Sequence, residues 1–89
     1  MPYVTQDRRL ALHQGSNIEG PGELNYLITR LFHKYMQQHG LNYRVINDIV
    51  GAAEGAKAEF HRRVAAPYED KKILQNGDVY VGKETNGGV

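Results

Sequence analysis

The chain has no cysteine and no tryptophan, only three prolines in 89 residues, and almost no surplus of charge. Without thiols it has no disulfide framework, thiolate zinc site, iron–sulfur cluster or cysteine nucleophile. Eleven Lys and Arg stand against ten Asp and Glu, a formal charge of +1 at pH 7. That balance gives no long-range field toward phosphates, so nonspecific nucleic-acid binding is not expected. No apolar run approaches the roughly 20 residues of a membrane span, and the opening MPYVTQDRRLALHQG lacks a signal-peptide core. A cytoplasmic protein is expected, with the initial Met read as the start of a complete gene product.

The length fits one small domain over residues 1–89. A chain of this size buries only roughly 60 to 65% of its unfolded surface, so its core is thin and a homo-oligomer is expected. Within the domain, residues 1–20 read as a flexible N-terminal segment, 21–76 as a helical core and 77–89 as an extended or disordered tail. Asp7 to Gln14 forms at most a short helix, because GSNIEGPG supplies four Gly or Pro breakers from Gly15 to Gly22.

From Glu23 the pattern changes. Leu24, Leu27, Ile28, Leu31, Phe32, Tyr35 and Met36 recur at steps of three and four and draw one apolar stripe along a helix. Pro21 and Gly22 precede it, Glu23 complements its dipole, and Gly40 is its expected left-handed cap. A second helix follows Asn42, whose side chain is expected to cap it, and carries Val45, Ile46, Ile49, Val50, Ala53, Ala56, Phe60 and Val64 on one side. Its expected stop is Pro67. Six of the eight residues Gly51 to Ala58 are Gly or Ala, which places the closest helix crossing there, either against the helix containing Leu27 or at a seam between copies.

Pro67 opens a third, short helix through Ile73 and Leu74 with Gly77 as its cap. A rival reading uses Asn76-Gly77 as a hairpin turn, but an isolated hairpin of this size is marginal, so the helix is favoured. Val79 and Tyr80 then lie in an extended strand able to pair with Tyr3-Val4-Thr5. The fold class read from these signals is all-α: an antiparallel helical hairpin plus a short third helix, with extended or frayed termini.

The phrases PGELNYLITRLFHKY, GLNYRVINDIVGAAEGAKAEFHRRV and APYEDKKILQNGDVY resemble a family of small uncharacterised proteins common in phage and prophage genomes. The likeness covers Pro21 to Tyr80 and departs in two places: the segment before Pro21 is short, and His61 stands where an aromatic is expected. The resemblance implies a phage setting, and with it the cytoplasm of a host cell.

For chemistry, there is no Walker or Rossmann phosphate loop, no G-x-S-x-G elbow and no H-E-x-x-H helix, and neither Ser16 nor Thr29 has an evident His and acid partner. An enzyme is not expected. His13, His33, His39 and His61 are scattered. Glu54 lies seven residues before His61, roughly 10 Å along a helix and too far to share one ion, so neither metal nor cofactor is expected.

The basic cluster His61-Arg62-Arg63 ends the second helix, where the dipole favours cations and Glu59 reaches both arginines at three and four residues. Arg30, His33 and Lys34 line the polar side of the first. Six Tyr against two Phe is a marked bias, and Tyr beside Arg suits interfaces and base-stacking sites. The expected ligand-binding residues are Arg62, Arg63, Tyr68, Tyr26, Arg30 and Lys34. They would hold an anionic, nucleotide-like molecule, by analogy with phage sponges that sequester immune signalling nucleotides, in an anti-defence role. The alternative is an accessory factor or inhibitor that docks a helix face on a host or phage protein.

Overall fold

A computed structural model describes residues 2–80. It is all-helical, with α1 at Gln6–His13, α2 at Pro21–His39, α3 at Tyr43–Phe60 and α4 at Ala66–Asn76, and a π-helical turn at His61–Ala65 between the last two. The chain divides into two units, Met1–Gly51 and Ala52–Val89, each described by itself.

In the first unit every helix end is closed by a local device. Thr5 holds extended backbone and its Oγ1 accepts the Arg8 N–H at 3.3 Å, which starts α1. Gly15, at φ 93°, ends it by turning the chain into a region that side chains disfavour. Pro21 sits in the first turn of α2, where its missing N–H costs nothing, and Glu23 follows it. Gly40, at φ 92°, donates its N–H to the Met36 carbonyl at 2.7 Å and closes α2 as the sequence predicts. The Asn42 side chain accepts the Val45 N–H at 3.0 Å, the expected cap of α3.

One side chain from each helix of this unit is buried: Leu12 of α1, Tyr26 of α2 and Val45 of α3. Each such burial stabilises by roughly 1.5 to 3 kcal/mol, so this core is small for the chain entropy it offsets. Around it Leu27, Phe32, Tyr35, Met36 and Ile49 are half-buried. Polar links supplement it, because Tyr35 donates its hydroxyl to Asp48 Oδ2 at 2.9 Å and Arg8 pairs with Glu23 across the loop between α1 and α2.

In the second unit Pro67 does not stop the helix. Ala65 and Ala66 keep right-handed helical angles, and the Ala66 N–H reaches the His61 carbonyl, five residues back. The proline ring would crowd the carbonyl four residues before it, and the wider π turn is the local adjustment that lets helical geometry continue. α4 then runs to Asn76, and Gly77, at φ 88°, caps it through a 2.8 Å bond to the Ile73 carbonyl. The helix therefore replaces the rival hairpin at Asn76-Gly77.

Two further expectations are corrected. No strand forms among the described residues, so Val79 and Tyr80 do not pair with Tyr3-Val4-Thr5, and the polar end KETNGGV lies outside the described residues. Within the chain, the small-residue run Gly51 to Ala58 is not closely crossed: a Cβ built on Gly51 or Gly55 meets no heavy atom within 4 Å, and every residue of the run except the half-buried Ala53 is exposed. Small side chains permit a close approach, but they supply little apolar area to drive one.

Candidate functional site

The first unit contains a shallow depression of about 410 Å³ lined by His13, Leu27, Arg30 and Leu31. Leu27 and Leu31, one helical turn apart on α2, contribute apolar lining, and Arg30, between them in sequence, contributes a guanidinium. His13, the last residue of α1, forms another part of the wall.

His13 is held in place by Tyr26. The Tyr26 hydroxyl and His13 Nε2 are 2.9 Å apart in a hydrogen bond, and the two rings stack with centroids 5.8 Å apart and planes 17° from parallel. Arg9 covers the Tyr26 ring with its guanidinium carbon 5.6 Å from the centroid, and donates Nε to the Val4 carbonyl at 2.9 Å. Tyr26 is thus only 7% exposed, and in this structure it supports the wall from behind.

Beneath this, Arg8 grips Glu23 at two points, Nε to Oε2 at 2.5 Å and Nη2 to Oε1 at 2.8 Å. The Glu19 N–H also donates to Glu23 Oε1, at 3.0 Å. The Arg8 guanidinium, followed by that backbone N–H, holds the Glu23 carboxyl down at about 2, and the same bond raises the Arg8 group above its ordinary value. Asp48 likewise raises the Tyr35 hydroxyl, because the bond favours the form that keeps its proton.

Arg30 and Lys34, four residues apart on α2, are both exposed, and among the described residues neither forms an ion pair. From Leu24 to His39 the helix carries Arg30, His33, Lys34 and His39 and no acid. The expected site residues of the second unit are differently engaged. Arg62 Nη2 lies 2.7 Å and Arg63 Nη1 3.6 Å from Glu59 Oε2, the pairing read from their spacing. Lys72 Nζ stands 5.5 Å from the Tyr68 ring centroid and covers one face of it. Among the described residues no three His, Asp or Glu side chains gather as a metal site, and no helix is long and apolar enough to cross a membrane.

Of the six expected residues, then, Tyr26 and Arg30 belong to one wall or its support. Arg62 and Arg63 share one carboxylate. Sequence reasoning did not find Arg9 and His13, because their bonds to Tyr26 and Val4 depend on how the Gly15–Gly20 loop folds α1 back on α2. Leu27 and Leu31 read as core from their period, and the same period serves a half-open floor.

A family model matches residues 1–79, nearly the whole described chain. The chain belongs to the family described as a domain of unknown function, DUF6899. No curated protein and no solved structure matches it. Membership of DUF6899 assigns no activity, and whatever this member does is carried by its own side chains.

Proposed function

We propose that this protein is a non-enzymatic binding protein that takes an anionic, nucleotide-like small molecule in the depression beside Arg30. The observation that carries this reading is an exposed guanidinium, without an ion pair among the described residues, that lines one depression with Leu27 and Leu31. Arg30 offers two parallel N–H donors to a phosphate or carboxylate, and Leu27 and Leu31 offer a surface for a flat ring. Lys34, one turn further along, extends the cationic edge toward a second anionic group. A volume of about 410 Å³ lies in the range of small-ligand sites. The hairpin belongs to the same reading: α2 and the first turns of α3 are its arms, supported by the Tyr35–Asp48 bond across the Gly40 turn. The likeness to phage proteins supports the finer proposal of a phage-type accessory protein, acting in the cytoplasm of a host cell by sequestering an immune signal.

The test is a thermal-shift panel of mononucleotides and dinucleotides. A ligand at a hundred times its Kd stabilises the native state by about 2.7 kcal/mol, which is readily seen as a rise in Tm. A panel that leaves Tm unchanged contradicts the reading. The second reading, docking on a host or phage protein, is favoured by the exposure of Tyr68, Ile73 and Leu74 on α4, and a single protein captured through that helix would support it.

A further inference from the structure

His13 and Arg30 line the same depression, one from the end of α1 and the other from α2. Arg30 is always charged, whereas histidine is the side chain whose charge changes between about pH 5 and 8. Tyr26 leaves that change free to occur. A hydroxyl both donates and accepts, so its 2.9 Å bond to His13 Nε2 persists whether the ring is neutral or charged. The stacked rings, 17° from parallel, keep the imidazole in one orientation. Nδ1, with no hydrogen bond among the described residues, is the nitrogen left for a ligand.

The charges around the ring determine what a ligand would do to it. Arg9, one turn earlier on α1, covers the Tyr26 ring, and Arg30 shares the depression; both oppose a further positive charge. Lys34 and His33 are exposed further along α2. The last turn of α1 favours a cation at His13, which sits at the negative end of the helix dipole. No acid completes the balance. Of the four acids in the first unit, Glu19 and Glu23 lie on Arg8, Asp48 accepts the Tyr35 hydroxyl, and Asp7 is in the first turn of α1. Among the described residues none lies within ion-pair distance of His13. An anion in the depression supplies the negative charge that the chain does not.

We propose that His13 is a second anion-binding group of this depression, so that the site takes up a proton with its ligand and prefers a doubly charged anion, such as a phosphate monoester, to a singly charged one. The inference rests on the reading of the depression as an anion site, and adds to it the charge of the ligand and the pH at which it binds. The complex holds more protons than the free protein, so affinity rises as the pH falls. By reciprocity, the bound anion favours the charged ring.

A phosphate monoester changes its own charge near neutrality, so the probe is naphthalene-1,5-disulfonate, a flat ring whose two sulfonates stay ionised throughout. It is titrated calorimetrically into the full chain at about pH 6 and about pH 8, on either side of histidine's ordinary range. Wild type should bind about three- to tenfold more tightly at the lower pH, the scale of one charge pair near a protein surface. Two buffers of different ionisation enthalpy should report net proton uptake. The advantage of the disulfonate over naphthalene-1-sulfonate should be wider at the lower pH. His13→Gln should lose the pH dependence and bind as wild type does at the higher pH; His33→Gln, on the helix of Arg30, should keep it. Proton uptake retained in His33→Gln supports the inference even where His13→Gln fails to fold. A pH dependence that survives in a folded His13→Gln or vanishes in His33→Gln overturns it, as does wild-type binding without proton uptake. Binding that Arg30→Ala weakens but that is equal at both pH values leaves the anion-site reading standing and overturns this inference alone. A probe that binds at neither pH overturns both.

Discussion

Arg8 and Glu23, fifteen residues apart, meet in a two-point ion pair that fastens α1 to the first turn of α2. The pair positions the wall of the candidate site, because α1 ends at His13 and α2 supplies Tyr26, Leu27 and Arg30. Its strength depends on pH in a definite direction. The Glu23 carboxyl is held at about 2 in the folded chain, below its ordinary value of 4.5. Its contribution is therefore complete above pH 4.5 and is lost as the pH falls toward 2.

Glu23→Gln should lower Tm at pH 7 and flatten the fall of Tm between pH 4.5 and 2, followed by circular dichroism. Arg8→Gln should do the same. A wild-type Tm that does not change across that interval would show that the ion pair does not hold α1.

Tyr26→Phe removes the hydroxyl bonded to His13 and keeps the ring. The expected loss in urea unfolding is roughly 0.5 to 1.5 kcal/mol, whereas Tyr26→Ala should cost about 3 to 5 kcal/mol by leaving a cavity. Equal losses for the two variants would assign the whole effect to the hydroxyl and contradict the packing role of the ring.

The glycines divide by conformation. Gly40 sits at φ 92°, so Gly40→Ala should destabilise by roughly 1 to 2 kcal/mol. Gly51 lies within α3 with open space around its Cβ position, so Gly51→Ala should stabilise by roughly 0.5 to 1 kcal/mol. Urea midpoints of the two variants, moving in opposite directions, check both statements.

The helix ends were the most legible part of the sequence, because caps are local. Asn42, Gly40 and Gly77 each act within four residues of the group they satisfy, and Glu59 reaches Arg62 and Arg63 within one turn. The π turn before Pro67 was not legible, since proline chemistry permits either a stop or a widened turn and the choice depends on the carbonyls around it. The period from Val45 to Val64 is legible in the sequence, but periodicity does not say what covers a stripe: Ile46 and Val50 are exposed, and the covering ends after Ala53. His13 and Tyr26, thirteen residues apart across a glycine-rich loop, carry no local signal of their bond.

The charged residues of α2 are the centre of the functional account, and calorimetric titration of a nucleotide identified by thermal shift tests them most directly. Wild type should bind. Arg30→Ala should weaken binding by roughly 1.5 to 3 kcal/mol, the scale of a hydrogen bond to a charged group, which is about tenfold or more. Its Tm without ligand should be unchanged, because Arg30 is exposed and forms no ion pair among the described residues. Arg62→Ala and Arg63→Ala, whose guanidinium groups already share Glu59, should bind as wild type does. An Arg30→Ala protein that binds the nucleotide with wild-type affinity would contradict the account.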